Sequence, residues 1–493
     1  MKHLLLFFCI GLVLSILFSS GQIENPDTAL RLTQTRILTE NFKFGLPADV
    51  GEDSHGNIAI NDAGQRYMVY NPGQSLVFLP LYYVAQFISI NDAESYYTAA
   101  FMVSFINYII LSLCAFLLFR IALSLKVPKK KALLVALVFC LTSYSFSFAQ
   151  STYEHHFEML FILLAYFLVT SENINQKYIY AGLAIGIGVI FRSTTILAIP
   201  GILLLITNNK QRLYFLLNII PGVCIILFYN YYRFGNPLET GYGFAWQLAN
   251  SEIEDFWSLS RIPGSIFGFL FSPGKGLLIF SPTILISLLG IRKFWVKYRK
   301  LAQSIIVLCI LYLFLFSMNF AWHGSIWSFG PRYILPLVPF LYLPLIEVNV
   351  KKWMYSIFLI AGLSQVLLIS VNYKRDVLEQ YLKLGEIDQN DYIYDINNLP
   401  YIAQGRQLIK ILPKNISGEL ENYYVNYPWK KEIRNGTGQE VLMYSIEKNA
   451  INFWWVRAFL LGSNFLQKIV TILSLILAII GIFYIVNYVK KNI

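Results

Sequence analysis

Long apolar runs separated by short polar stretches dominate this chain, and their lengths fit a bilayer rather than a soluble core. The first runs from Leu4 to Phe18. Further runs cover Tyr97–Leu125, 132–149, 159–170, 213–231, 277–291, 302–320, 334–347 and 353–371, and a last one ends at Lys490-Lys491. Between them YIYAGLAIGIGVIFRSTTILAIPGILLLI reads as a tight apolar hairpin whose only charge, Arg192, stands at its vertex. The pattern predicts an all-α polytopic membrane protein with about twelve transmembrane helices. Residues 21–95 form a large polar first loop, and residues 372–464 a polar region before the final helix. Inside the first loop, Tyr70–Ile88 is apolar but interrupted by Pro72 and Pro80, and it reads as an interfacial helix.

Composition agrees with a membrane setting. Of the 493 residues 56% are hydrophobic and only 14% charged, against roughly 25% in soluble domains. The net charge of +11 would suit nucleic acid if it were gathered in one patch, but the cations fall between the apolar runs. That distribution orients the chain. The inner loops and ends hold eighteen of the 39 Lys and Arg but only two of the 28 acids, Glu172 and Glu347. The positive-inside rule then puts both termini on the cytoplasmic side. Met1-Lys2-His3 and the small residues after Phe18 would also suit a signal peptide, but the many following spans favour a retained anchor. The five cysteines all lie in apolar runs, without the spacing of a disulfide framework or a zinc site.

The candidate chemistry collects on the outer side. Pro26 opens a short amphipathic helix just after the first run, with Asp27 in its first turn and Arg31 one turn later. A carboxylate there suits a general base, although the same position suits a helix cap. Arg192 has no acidic neighbour in sequence and so suits a phosphate. Lys275 lies between Gly274 and Gly276, where backbone amides and a cation can share an anion, and Arg332 follows Gly330-Pro331. Glu154-His155-His156 diverge on a helix and lack a spaced third ligand, so no metal is expected; Glu154 reads as a second acid/base or acceptor-binding carboxylate. Trp322, Trp327, Phe329 and Tyr333 suit sugar stacking or an aromatic belt, with His323 beside them. The span interiors are nearly free of charge, which speaks against an ion-coupled transporter.

Taken together, these features resemble the GT-C superfamily of membrane glycosyltransferases, in the family 39 branch of protein O-mannosyltransferases and the lipid A aminoarabinose transferase. The resemblance is strongest over residues 1–345. It rests on the Asp27 placement, the proline-bearing Tyr70–Ile88 segment, GIGVIFRSTTILAIP around Arg192, GNPLETGY (Gly235–Tyr242), SPGKGL and SFGPRYILPLVP (Ser328–Pro339). The chain departs from the better-known branches in having Pro26-Asp27 where Asp-Glu is common, and Asn71-Pro72-Gly73-Gln74 in place of Lys/His-Pro-Pro-Leu. The resemblance implies a catalytic core over 1–371, an extracytoplasmic region over 372–464 and a final helix and tail over 465–493. It further implies a polyprenyl-phosphate sugar donor, an envelope glycan, lipid or protein acceptor, and no obligatory cofactor. Asp27 and Glu154 become the catalytic candidates. Arg192, Arg332 and Lys275 would bind the donor phosphate, and Arg31, His155, Trp322, His323 and Tyr242 the substrates. A lipid-linked oligosaccharide flippase or transporter, or an O-antigen ligase or polymerase, is the alternative.

Overall fold

The computed structural model describes residues 2–47, 57–172, 174–243, 257–324, 328–372, 393–396, 399–420, 422–423, 447–448, 450–461 and 465–492. Trp327, Asn435 and most of 372–464 lie outside the described residues. Helix dominates what is described. The only strands there are a short hairpin, β1 (Ile58–Ile60) with β2 (Arg66–Met68), and the two-residue pair β3 (Asn422–Tyr423) with β4 (Glu447–Lys448).

The first anchor forms α1 (Lys2–Phe18), followed by α2 (Pro26–Asn41), α3 (Gly73–Ile88), α4 (Asp92–Val103) and α5 (Ile106–Ser124). Next come α6 (Lys129–Thr142), α7 (Tyr144–Ala149), α8 (His155–Thr170), α9 (Lys177–Phe191), α10 (Ala198–Leu205), α11 (Asn209–Leu217) and α12 (Ile220–Phe234). Among the described residues, five helical stretches are long and apolar enough to cross a membrane: Glu94–Ser124, Asn209–Phe234, Arg299–Met318, Lys352–Ile369 and Gln467–Lys491. Six shorter apolar helices accompany them, among them α1, α3, α8 and α9. The expectation of about twelve spans thus meets five long helices and several short ones.

Proline explains part of that shortfall. Residues 334–347 divide into a 3₁₀ turn at Arg332–Leu337, a helix at Val338–Tyr342 and a second 3₁₀ turn at Leu343–Glu347, at Pro336, Pro339 and Pro344. Each proline removes a backbone donor and clashes with the preceding turn. Pro282 likewise separates Leu277–Phe280 from Ile284–Leu288 within the run 277–291.

Small residues let the helices approach closely. On α9, Gly186 sits four residues after Gly182 and faces Gly222 of α12; a Cβ on Gly222 would stand 2.0 Å from the Gly186 carbonyl oxygen. This is the small-xxx-small contact of membrane helices. α1 lies against α5 through Gly11, and Ser15 and Ser19 donate to the carbonyls of Phe105 and Ser104 at 2.9 and 3.1 Å. The helix Phe465–Asn492 packs along α1, where Tyr488 OH and His3 Nδ1 lie 2.6 Å apart. The end of α1 receives Trp454 and Trp455, whose indole N–H groups donate to Ile16 and Leu17 carbonyls.

α2 is more deeply set than a surface helix. Its whole first half is buried, Arg31 included. Asn25, not Asp27, is the cap: its Oδ1 accepts from Thr28 N at 2.8 Å. α3 carries Pro80 within it and exposes Phe87, Ile88 and Val84 along one flank, as suits an interfacial segment.

Candidate functional site

The turn between α7 and α8 brings Glu154 into place. Thr152 there takes a left-handed φ of 56°, and three side chains from the first loop hold the turn. Thr28 and Gln74 donate to the Thr152 carbonyl at 3.1 and 2.6 Å, and Asn25 donates to the Ser151 carbonyl. The first loop therefore docks directly on the start of α8. The hairpin vertex is fastened from the same side. Asn71 donates to the Val189 carbonyl at 2.8 Å and to Ser193 Oγ at 3.0 Å, bracketing Arg192, which caps α9 in an extended conformation.

Glu154 is the hub of the resulting cluster. Its Oε1 accepts from Arg192 Nη1 at 2.6 Å, and its Oε2 lies 2.9 Å from Arg31 Nη2 and 3.8 Å from His155 Nδ1. Burial alone would raise its pKa, but the guanidinium of Arg31, then His155 and Arg192, outweigh it and hold the carboxyl well below the usual range. Arg192 is also tied to Glu158, with Nε 3.2 Å from Oε2. Glu158 Oε1 in turn accepts from Thr194 Oγ1 at 2.5 Å and Tyr312 OH at 2.6 Å. The vertex cation that lacks an acidic neighbour in sequence has two acids in space, both supplied by the start of α8.

Asp27 lies beside this hub under looser constraint. Its Oδ2 is 3.6 Å from Arg332 Nη1. The Tyr70 phenol lies within electrostatic reach of Asp27; burial first, and the Asp27 charge next, push that phenol well above its usual range, so it remains a donor. Tyr70 further donates to Asn57 Oδ1 at 2.6 Å, and its ring carries the Arg31 guanidinium at 4.0 Å. Arg332 is held by aromatic faces, 4.9 Å from the Tyr153 ring and 5.0 Å from Tyr333. Tyr333 stacks on Phe316 at 4.8 Å and also meets Arg192 at 5.4 Å. Tyr242 is exposed and lies within electrostatic reach of Arg192, Glu154 and Asp27.

Several sequence-selected residues are engaged differently from expectation. The amides beside Lys275 are already used: Gly274 N donates to the Ile393 carbonyl at 3.0 Å and Gly276 N to Ser272 at 2.7 Å. Lys275 itself is buried and donates to the Ser328 carbonyl. Burial first, and Arg332 next, push its ammonium well below the usual lysine range. The glycine pair therefore shapes a turn rather than an anion cradle. Trp322 is buried against Phe269, its ring filling the place of a Gly268 side chain, and His323 meets it edge-on. Phe329 stacks on Phe280. Of the described members of the expected aromatic platform, Tyr333 is the one at the charge cluster. The two histidines diverge: His156 Nε2 lies 2.9 Å from the Ser145 carbonyl, while His155 faces Glu154 and Tyr333.

Sequence reasoning missed Tyr70, Tyr153, Glu158, Thr194 and Tyr312. Glu158 and Thr194 carry a weak local signal, one turn after Glu154 and two residues after Arg192. The tyrosines carry none in a chain with 33 of them. Within the cluster Arg31 Nη1, Arg332 Nε, Tyr153 OH and both ring nitrogens of His155 are buried without a hydrogen-bond partner among the described residues. Buried polar atoms are normally satisfied, so this concentration fits a site that receives a polar, hydrogen-bonding ligand. No family model, no curated protein and no solved structure matches the chain.

Proposed function

We propose that the chain is a membrane glycosyltransferase of the bacterial inner membrane, with both termini cytoplasmic. It moves a sugar from a polyprenyl-phosphate-linked donor to an envelope acceptor, whether lipid, polysaccharide or protein, at the extracytoplasmic face. One observation carries the reading: Asp27 and Glu154 meet Arg31, Arg192 and Arg332 at a single end of the bundle, contributed by α2, the start of α8, the α9 vertex and the Arg332 turn. A general base and cations for a departing phosphate are thereby within one site.

The chemistry is a single displacement. The Asp27 carboxylate takes the proton of the acceptor hydroxyl, whose oxygen bonds to the anomeric carbon with inversion. The bond from that carbon to the phosphate oxygen breaks, and its electron pair leaves on the lipid phosphate. Arg332, the cation nearest Asp27, stabilises that charge, with Lys275 behind it. Glu154 acts as the fixed partner of Arg31 and Arg192. A carboxylate held between two guanidinium groups is a poor proton acceptor, so Asp27 is the better base.

Purified full-length protein with labelled polyprenyl-phosphate sugars and envelope extracts tests this directly. Transfer by the native chain and none by Asp27→Asn is the expected result; equal transfer by both removes the mechanism. A transporter of lipid-linked sugar is the second reading. Glu158, fully buried and paired with Arg192 inside an apolar helix, is what favours it. Movement of intact donor lipid across vesicles without any transfer would decide for that alternative.

A further inference from the structure

A cavity lined by both charged and apolar side chains lies at the opposite end of the helices that carry the Glu154 cluster. On α5, Asn107 donates to the Tyr153 carbonyl at 2.9 Å, next to the cluster, whereas Arg120 is thirteen residues further, about 20 Å along the helix. The cavity measures about 390 Å³, and His3, Arg120, Ser124, Lys126, Phe167 and Glu172 are among the residues lining it. α1, α5 and α8 converge there, with the end of the Phe465–Asn492 helix beside them through the contact between Tyr488 and His3.

Its charges are arranged for an anion. The Arg120 guanidinium lies 4.9 Å from the Phe167 ring and 5.8 Å from the Phe116 ring, and it forms no ion pair among the described residues. Two aromatic rings lie against the guanidinium, and an arginine so placed suits phosphate, whose oxygens match its planar set of donors. Lys126 projects from a left-handed turn at the end of α5, with φ 60°, and Lys129 stands over the Tyr488 ring at 5.7 Å. The one acid in the lining, Glu172, is within electrostatic reach of Lys177, which is itself anchored to the carbonyls of Val169 and Ser171. α5 and α8 also end here, but about half a negative charge at each helix C-terminus is smaller than the cationic charge of Arg120, Lys126 and Lys129. Phe167, Leu123 and Ile174 supply an apolar wall, and the volume falls within the usual range for a bound small molecule.

We infer that this cavity binds a phosphate-bearing anion, with Arg120 and Lys126 as its principal ligands. Basic pockets between membrane helices take lipid headgroups in this way, and a free phosphate offers the same chemistry. The inference uses none of the residues of the Glu154 cluster, so it stands or falls separately from sugar transfer.

The test uses delipidated full-length protein, titrated in turn with phosphatidylglycerol, phosphatidylcholine and inorganic phosphate, with bound lipid counted by native mass spectrometry and phosphate by calorimetry. Native protein is expected to bind phosphatidylglycerol about tenfold more tightly than Arg120→Gln, the loss of one charge-assisted contact. Lys126→Gln, at an exposed position where folding is not at risk, is expected to weaken binding several-fold. Binding of phosphatidylglycerol alone identifies a lipid headgroup as the ligand; equal binding of inorganic phosphate identifies a free anion. Affinities unchanged in both variants, or no anion bound by the native chain, overturn the inference.

Discussion

Glu154 and Arg192 stand 38 positions apart in the chain, yet their carboxylate and guanidinium meet at 2.6 Å. The contact joins the start of α8 to the vertex after α9, and Arg31 closes it from α2. Removing the acid leaves the buried Arg31 guanidinium without its carboxylate and Arg192 with Glu158 alone, and breaking a buried pair in this way costs about 3–5 kcal/mol. Glu154→Gln is therefore expected to lower the thermal midpoint of the purified protein clearly. A midpoint equal to that of the native chain would show that these ion pairs contribute nothing to holding the first loop.

The same carboxylate sets a pH dependence. Its pKa in the folded chain is depressed: burial alone acts upward, but Arg31, His155 and Arg192 outweigh it. A depressed carboxylate contributes stability that is complete above its unfolded value, about 4.3, and is lost as pH falls from there toward the folded value. The stability gap between native protein and Glu154→Gln should thus stay constant from pH 7 to about 5 and narrow below about 4. Melting curves of both proteins across that range measure it. A gap that widens toward acid would reverse the sign and refute the assignment.

Asp27 gives the complementary case. Because Asn25 caps α2, neutralising Asp27 removes no helix cap, and its one ion pair among the described residues is long at 3.6 Å. Asp27→Asn is expected to melt close to the native chain while losing about 10²- to 10⁴-fold in transfer rate, the usual worth of a positioned general base. Steady-state transfer assays beside melting curves separate the two effects. A variant that loses stability and activity together would make Asp27 a structural residue.

What could be read in advance was local, and what could not was made by distant contacts. Pro26 and Asp27 signalled the opening of α2 within a few residues, and the lone charge in an apolar hairpin marked Arg192 as its vertex. The partners of Arg192 were hidden because α8 and α9 bring them together only by packing. Asn25 was passed over as cap although it precedes Pro26 directly, the position from which an Asn side chain reaches N3. Apolarity alone suggests about twelve spans, whereas the helices break at Pro282, Pro336, Pro339 and Pro344, and five long apolar helices stand among the described residues. Trp322 shows the limit of composition: an aromatic at a membrane rim looks the same in sequence whether it faces a sugar or a core.

Arg332 separates donor binding from catalysis. It is the cation nearest Asp27, and it is seated between the rings of Tyr153 and Tyr333 with Nε unpartnered. Arg332→Gln keeps much of the stacking shape but loses the charge. A charge-assisted hydrogen bond is worth about 1.5–3 kcal/mol, so the Michaelis constant for the lipid-phosphate donor is expected to rise about 10- to 100-fold. The constant for the acceptor should move little. An equal rise for both substrates, or for the acceptor alone, would take Arg332 away from the donor phosphate.

Trp322 is the case in which packing and function make opposite forecasts. Its indole fills the space beside Gly268, where an added Cβ would lie 2.0 Å from the ring, and it meets Phe269 edge-on at 5.1 Å. Truncating a buried tryptophan typically costs about 3–5 kcal/mol through lost contacts and the cavity left behind. Trp322→Ala should therefore melt much lower while the surviving folded protein keeps its acceptor Michaelis constant. Gly268→Ala should reproduce the loss of stability with Trp322 still in the sequence, because the new methyl displaces the indole. If Trp322→Ala instead melts normally and its acceptor constant rises, the indole serves as a sugar platform and its place in the core is incidental.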